Sequence, residues 1–311
     1  MRTPCFDELI TRHPEVHGDR YGLAFAADVA PLEISAALSR AGAVMLQSVL
    51  PPATLQPCRT SFERFARSLG HGHLSWLQRW ASKKLALDDG PSPQWGDGET
   101  EGGSWHQPWI VRYRNHRPAA VILSALLKSW AWPVVEKICD STDIVVLLGL
   151  CVARHAIDKS LGAGAHQDAK VVAPEVPFSM WIPFHTVAPR RNSGLGFIIP
   201  APQRVLPTLP HNDVGPGYVM DNLDKAWVPH YSPGDLTIHT SLSPHFTTGY
   251  GTRADRFSLE IRAMARDAAP AKYQNPAIYV ERRNGAAAIV DTKCSPEIGA
   301  HRFLASAALL A

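Results

Sequence analysis

The apolar positions change rhythm near the middle of the chain. From Pro31 to Trp132 they recur mostly at helical spacing. Leu32–Ala41 reads as a short helix stopped by Gly42, followed by a brief apolar strand, Ala43–Leu46. Pro51 then leads into a helix over Pro52–Leu69, whose Leu55, Phe62, Phe65 and Leu69 share a face before Gly70. The run Asp88–Ser104, rich in Gly, Pro and acids, predicts a surface loop. Pro118–Cys139 returns to helix, with a break at Pro133. After Thr142 the texture becomes extended. Ile144–His155 is a β-branched and leucine run, and short strands are expected at Phe178–Ile182, Gly196–Ile199, Leu236–His239 and Phe257–Ala263.

Short strands at such spacing predict a β sandwich or barrel, and the absence of a strand–helix rhythm argues against a doubly wound parallel sheet. No internal repeat is visible. The expected organisation is one domain over residues 1–311, mainly β with flanking helices. Helical support falls mainly in 31–140, a β core in about 142–266 and a C-terminal extension in 267–311.

Composition narrows the function class. The chain has 311 residues, 45% apolar and 19% charged, with 31 basic against 28 acidic side chains. That balance is too weak and too evenly spread to suggest a nucleic-acid-binding surface. Five cysteines without a CxxC pair read as reduced thiols. The polar start, MRTPCFDELITRHPEV, lacks the apolar stretch of a signal peptide. The apolar runs Ile144–Ala153 and Phe303–Ala311 are about half the length that spans a bilayer. A soluble, cytoplasmic protein is expected, with a small-molecule substrate and neither nucleic acid nor membrane as partner. Fourteen histidines invite a search for metal ligands.

That search finds Ala165-His166-Gln167-Asp168, in which a histidine and a carboxylate two residues apart point the same way along an extended segment. Alone the tripeptide is weak. It gains meaning from Ser232-Pro-Gly-Asp-Leu-Thr-Ile-His-Thr-Ser-Leu-Ser-Pro-His245 downstream, and from Arg256, eleven residues beyond His245. Two histidines and one carboxylate form the ligand set of non-haem Fe(II) oxygenases. Three protein ligands leave room for a 2-oxo acid and dioxygen. The far carboxylate of that acid needs a fixed cation, which arginine's planar fork supplies best. Ser258, two residues after Arg256, shares its strand face and can add a hydroxyl hydrogen bond.

This constellation resembles the phytanoyl-CoA dioxygenase-like family of Fe(II)/2-oxoglutarate-dependent oxygenases. Ala43-Val-Met-Leu with Pro51 and Pro52 is similar to that family's first strand and helix. Trp181-Ile182-Pro183 and Asn192-Ser-Gly-Leu-Gly-Phe-Ile-Ile-Pro200 resemble the stretch after H-x-D, and Gly234-Asp235-Leu236 through Arg256 resembles the closing block. The resemblance implies a double-stranded β-helix (jelly-roll) core, Fe(II), and 2-oxoglutarate consumed with O2 to succinate and CO2. It implies His166, Asp168 and His245 as iron ligands and Arg256 as the oxoacid cation, with Thr247 and Trp181 lining the oxoacid pocket. The family's Pro-Gly-Ser-His segment is replaced here by Pro200-Ala-Pro-Gln-Arg204, a departure on the substrate side.

Rival assignments exist within the same blocks. His239 competes with His245 as distal ligand, but only His245 gives the eleven-residue step to arginine, and His239 reads as packing at a strand end. Arg253 competes with Arg256. Arg262 and Arg266 read as solvating the end of the last strand, and His155, His185 and His230 as ordinary hydrogen-bonded or surface histidines. Trp76, Trp80, Trp95, Trp105 and Trp109 are candidates for core packing or a substrate mouth. Arg190-Arg191 and Lys83-Lys84 could hold coenzyme A phosphates, but no run of basic residues marks such a site and no acyl-CoA is assigned. A cupin-like metal enzyme without 2-oxoglutarate, and a non-catalytic binding relative, are the competing classes. Arg256 argues against the first and the intact triad against the second. Halogenation is disfavoured, because Asp168 fills the position a halide would need.

Overall fold

Pro31 opens helix α1, Pro31–Ala41, at the position where a missing N–H costs nothing. Gly42 closes it with a φ of 91°, its N–H bonded to the Leu38 carbonyl at 2.7 Å. These details come from a computed structural model. It describes residues 13–68, 103–106, 117–147, 150–156, 165–170, 176–188, 192, 194–208, 214, 216–248, 256–274 and 277–293. Helix α2 spans Pro52–Ser68, α3 Arg117–Leu127 and α4 Trp132–Cys139. The helical stretch expected over 118–139 is thus two helices, but the break does not fall at Pro133. It falls just before α4, where the Ser129 hydroxyl bonds the Leu126 carbonyl and receives the Ala131 N–H. Pro133 sits in the first turn of α4, where proline is tolerated.

Thirteen strands follow the chain among the described residues: β1 Ala24–Phe25, β2 Ala43–Leu46, β3 Gly103–His106, β4 Ile144–Val146, β5 Val152–Ala156, β6 Phe178–Pro183, β7 Gly194–Ile198, β8 Ala226–Trp227, β9 Leu236–Thr240, β10 His245–Thr248, β11 Arg256–Ala265, β12 Ala277–Arg283 and β13 Ala286–Lys293. They form a large sheet ordered β1-β2-β9-β6-β11-β4-β12-β13, with β5 also on β11 and β3 on β5, and a small sheet ordered β10-β7-β8. The run expected over 144–155 is therefore two strands, β4 and β5, which pair with successive parts of β11. The segment assigned as a C-terminal extension carries the hairpin β12–β13, whose first strand pairs with β4. Of the expected loop 88–104, only Gly103 and Ser104 are described, and both belong to β3.

The central strands β6, β9 and β11 of the large sheet are buried on both faces. Phe178, Met180, Ile182, Leu236, Ile238, Phe257, Leu259 and Ile261 alternate onto one face and join the main core with Ile34 and Leu38 of α1 and Trp132 of α4. The opposite face carries Ser179, Trp181, Thr237, His239, Arg256, Ser258, Glu260 and Arg262, all buried. It looks toward the small sheet: the Phe197 ring of β7 lies 5.5 Å from His239 of β9. The polar side chains on this face therefore lie between the two sheets, shielded from solvent. No helix among the described residues is long and apolar enough to cross a membrane.

The Pro-Gly-Asp turn before β9 is fixed to the exit of β2. Asp235 accepts the Ser48 N–H at 2.8 Å and the Ser232 N–H at 2.6 Å. Gly234 has a φ of 106°, and a Cβ there would collide with the Leu50 carbonyl oxygen. Gly234→Ala should destabilise the fold by about 1–3 kcal/mol from the strained φ alone, with the backbone clash adding to it. A chemical-denaturation midpoint equal to that of the wild type would show that this turn does not anchor β2 to β9.

Candidate metal centre

His166 and His245 are brought together by main-chain bonds. Each residue's N–H meets the other's carbonyl at 2.9 Å, an isolated antiparallel bridge between distant segments. Side chains of directly opposed residues emerge on the same side, and the two rings lie 4.2 Å apart. Asp168 arrives by a different route from the extended segment that its spacing predicts. The chain leaves the bridge after His166 and turns into a short 3-10 helix, Asp168–Lys170. The Ala169 N–H bonds the Ser241 carbonyl at 2.9 Å, fixing the turn against the segment between β9 and β10. The residue between the ligands is anchored too. The Gln167 amide donates to the carbonyls of Leu242 and Arg204, and its oxygen accepts the Leu206 N–H. The segment Pro200–Arg204, where the sequence departs from the family pattern, thereby rests against the H-Q-D turn.

One ligand atom from each of His166, Asp168 and His245 lies within 4.8 Å of the others, the one such group among the described residues. His245 Nδ1 donates to the Ser243 carbonyl at 3.0 Å, which leaves Nε2 with its lone pair facing Asp168 Oδ1 at 3.9 Å. Burial, reinforced by the neighbouring His166 and His239 imidazoles, holds His245 well below the usual histidine range and keeps it neutral. Burial alone would raise the Asp168 carboxyl. The Arg262 guanidinium reverses this and holds it well below the usual carboxylate range. A neutral imidazole and an ionised carboxylate are the forms that bind a divalent ion. Borderline nitrogen and hard oxygen donors suit Fe(II) among the common ions, so the donor set fits the metal expected from the sequence.

A second cluster lies further along β11. Arg256 is 1% exposed. Its Nη1 donates to Ser258 Oγ at 2.8 Å, and its guanidinium carbon sits 5.1 Å from the centre of the Trp181 ring. Trp181 in turn meets Tyr231 edge-on at 5.0 Å. Arg256, Ser258 and Trp181 are thus gathered on the inner face, the same face that carries Arg262. Thr247 is buried on β10, two residues after His245 and paired with Leu195 of β7.

Three readings of the sequence change. Arg262 does not solvate a strand end: it is 5% exposed, and its Nη2 donates to Asp168 Oδ2 at 2.8 Å. His239 is more than strand-end packing. It is fully buried, with its Nε2 3.8 Å from Asp168 Oδ2 and its ring 4.5 Å from His245, yet it is not one of the three converging ligands. Arg266 lies over Tyr279 and pairs with Glu281 and Asp143, fastening the C-terminal hairpin. Ser179, whose Oγ donates to Asp168 Oδ2 at 2.6 Å, was not singled out by any motif. The alternation R-x-S-x-E-x-R over 256–262, with apolar residues between, is the signal that could have found this polar face. His185 stacks on Phe257, and the exposed His230 lies beside His17. Arg253, Arg190, Arg191, Lys83, Lys84, Trp76, Trp80, Trp95 and Trp109 lie outside the described residues, as do the side chains of His155 and Trp105.

No protein-family model matches the chain, and no curated protein sequence does. Solved structures do match. The epimerase SnoN, in complex with Fe3+, alpha ketoglutarate and nogalamycin RO, aligns at a TM-score of 0.51 and 15% identity, covering 86% of this chain and 97% of that one. The non-heme monooxygenase ThoJ, in its apo form, aligns at 0.53 and 13% identity, covering 88% and 92%. AviO1 from Streptomyces viridochromogenes Tue57 aligns at 0.50 and 13%, covering 78% and 97%. At such identities the likeness is one of fold. The chain shares its overall fold with these three proteins.

Proposed function

We propose that this chain is a non-haem Fe(II)- and 2-oxoglutarate-dependent dioxygenase of the phytanoyl-CoA dioxygenase-like kind. On this reading it hydroxylates a C–H bond of a small-molecule substrate, and its two sheets are the halves of a double-stranded β-helix. The observation that carries the reading is the convergence of His166, Asp168 and His245 within 4.8 Å beside a buried polar sheet face. Iron(II) bound by these three residues would supply dioxygen activation, with 2-oxoglutarate as the co-substrate oxidised to succinate and CO2.

The chain's own residues do the rest. His245 offers Nε2 because Ser243 holds its other nitrogen. Arg256 and Ser258 receive the distal carboxylate of the oxoacid with a charge-assisted pair, in a site dry enough for that pair to hold. The Trp181 ring packs against the Arg256 guanidinium, and Thr247, two residues after the distal histidine, would border the oxoacid. An iron enzyme without 2-oxoglutarate would have no use for a buried arginine so arranged, which disfavours the cupin-like alternative. The free thiols of Cys58, Cys139 and Cys151 suit a cytoplasmic setting, where both Fe(II) and 2-oxoglutarate are supplied.

The test is succinate formation from 2-oxoglutarate by the Fe(II)-reconstituted protein with ascorbate, across a panel of candidate metabolites. Succinate should form slowly without substrate and faster with the right one. No succinate under any condition, with no charge-transfer band on adding 2-oxoglutarate anaerobically, would overturn the reading.

A further inference from the structure

The outer oxygen of Asp168 is held by a feature that the ligand set does not account for. In the large sheet, Ser179 of β6 is registered opposite His239 of β9 on one side and Arg262 of β11 on the other. Residues directly opposed across strands share a face, so His239, Ser179 and Arg262 stand in one row on the inner face. All three turn toward the same atom. Ser179 Oγ lies 2.6 Å, Arg262 Nη2 2.8 Å and His239 Nε2 3.8 Å from Asp168 Oδ2. Oδ1 faces the other way, 3.9 Å from His245 Nε2.

We propose that this cross-strand row is a carboxylate cradle. Arg262 is its positioning residue: with Ser179 it occupies Oδ2, so that Asp168 offers the metal Oδ1 alone. The proposal rests on the metal reading above and adds a mechanism to it. A carboxylate free to rotate can bind an ion through one oxygen or both, and a second oxygen would take up a coordination position needed elsewhere. Two strong donors on Oδ2 remove that freedom. Arg262 is itself fixed, since its Nη1 donates to the Leu150 carbonyl at 2.5 Å and Glu260 approaches Nη2 at 3.4 Å. His239 closes the far end of the row as a buried imidazole whose nitrogens have no hydrogen-bond partner among the described residues. The cradle is a property of register, because sliding β11 by one residue against β6 would replace Arg262 with an apolar side chain.

A cradle built for a carboxylate should hold one even when it is not attached to the chain, and this separates it from a salt bridge that only stabilises the fold. The experiment titrates Co(II) anaerobically into the full-length protein, following the visible d–d bands and the affinity together. Wild type should take up one Co(II) per chain. Arg262→Met should bind it about 10–100-fold more weakly, as loss of outer partners does elsewhere, with altered d–d bands. Arg262→Lys should recover part of the loss, and Ser179→Ala should shift the bands without removing a charge.

Asp168→Gly should lose Co(II) binding, and added acetate, which matches the deleted side chain, should restore it. The same acetate should fail in Asp168→Gly/Arg262→Met. Wild-type affinity and bands in both Ser179→Ala and a folded Arg262→Met would overturn the cradle, as would equal acetate rescue in the single and double variants. If Arg262→Met does not fold, Ser179→Ala and acetate rescue of Asp168→Gly decide the matter: unchanged bands in the one and no rescue in the other would reject the proposal. A wild type that binds no Co(II) would overturn the metal reading itself.

Discussion

Arg256→Ala should weaken 2-oxoglutarate binding by about a hundred- to several-thousand-fold while leaving metal binding nearly untouched. Arg256 is buried on the inner face of β11, where an unpaired carboxylate is costly. Removing one partner of such a buried charged pair costs about 3–5 kcal/mol, because the other is left stranded. At about 1.4 kcal/mol per tenfold, that gives the range stated. Arg256→Lys should recover part of it, keeping the charge but losing the fork that Ser258 and Trp181 hold in place. Anaerobic titration of the Fe(II) forms, following the metal-to-ligand charge-transfer band, measures the effect. Equal affinity in wild type and Arg256→Ala would reject the role, and loss confined to Arg253→Ala would move it three residues upstream.

The other large effect is expected at the triad. Asp168→Ala should abolish turnover and weaken Fe(II) retention by more than the roughly 10–100-fold that loss of an outer partner costs. It should also destabilise the fold by about 3–5 kcal/mol, since it strands the Arg262 guanidinium in a buried site. His166→Ala separates the two consequences. His166 is partly exposed and does not neutralise Arg262, so its removal should abolish turnover with little change in melting temperature. Asp168→Glu keeps the charge but displaces the oxygen by a methylene, beyond the roughly 0.5 Å such sites tolerate, and should be severely impaired. Thermal melts alongside iron retention and succinate release check all three. Near-normal turnover in Asp168→Ala would mean that the carboxylate ligand lies elsewhere.

The parts of the site that were legible in the sequence are those whose chemistry is local. H-x-D and the distal histidine can be read along the chain because few residue types ligate a metal, although the turn that delivers Asp168 differs from the extended segment expected. The cradle was not legible, for a physical reason. Alternation along 256–262 separates two faces but does not say which one encloses the site, and β11 is buried on both. Arg262 among apolar neighbours therefore looked like a strand end. Ser179 needed the β6–β11 register, which one sequence does not contain. Among the elements, the strands with dense β-branched residues stood out. β1 and β8 span two residues each and carry no periodic signal. β13 begins with three alanines, poor strand formers, and takes its place from pairing with β12. Pro133 misled because proline breaks a helix interior but opens a first turn equally well.

The two-faced β11 also limits how this protein can change over evolutionary time. Point substitutions on its outer face, such as Leu259 or Ile261, need only keep volume and apolarity. Length is another matter. One residue gained or lost between Arg256 and Arg262 would exchange the lining of the site with the packing surface for everything beyond it, and no single compensating substitution could reverse that. Lineages descending from this chain should therefore vary in the turn after β11, or in the hairpin that follows, while inheriting the strand as a block of fixed length. Arg256 and Arg262 would then be passed on together, although one bonds Ser258 and the other Asp168.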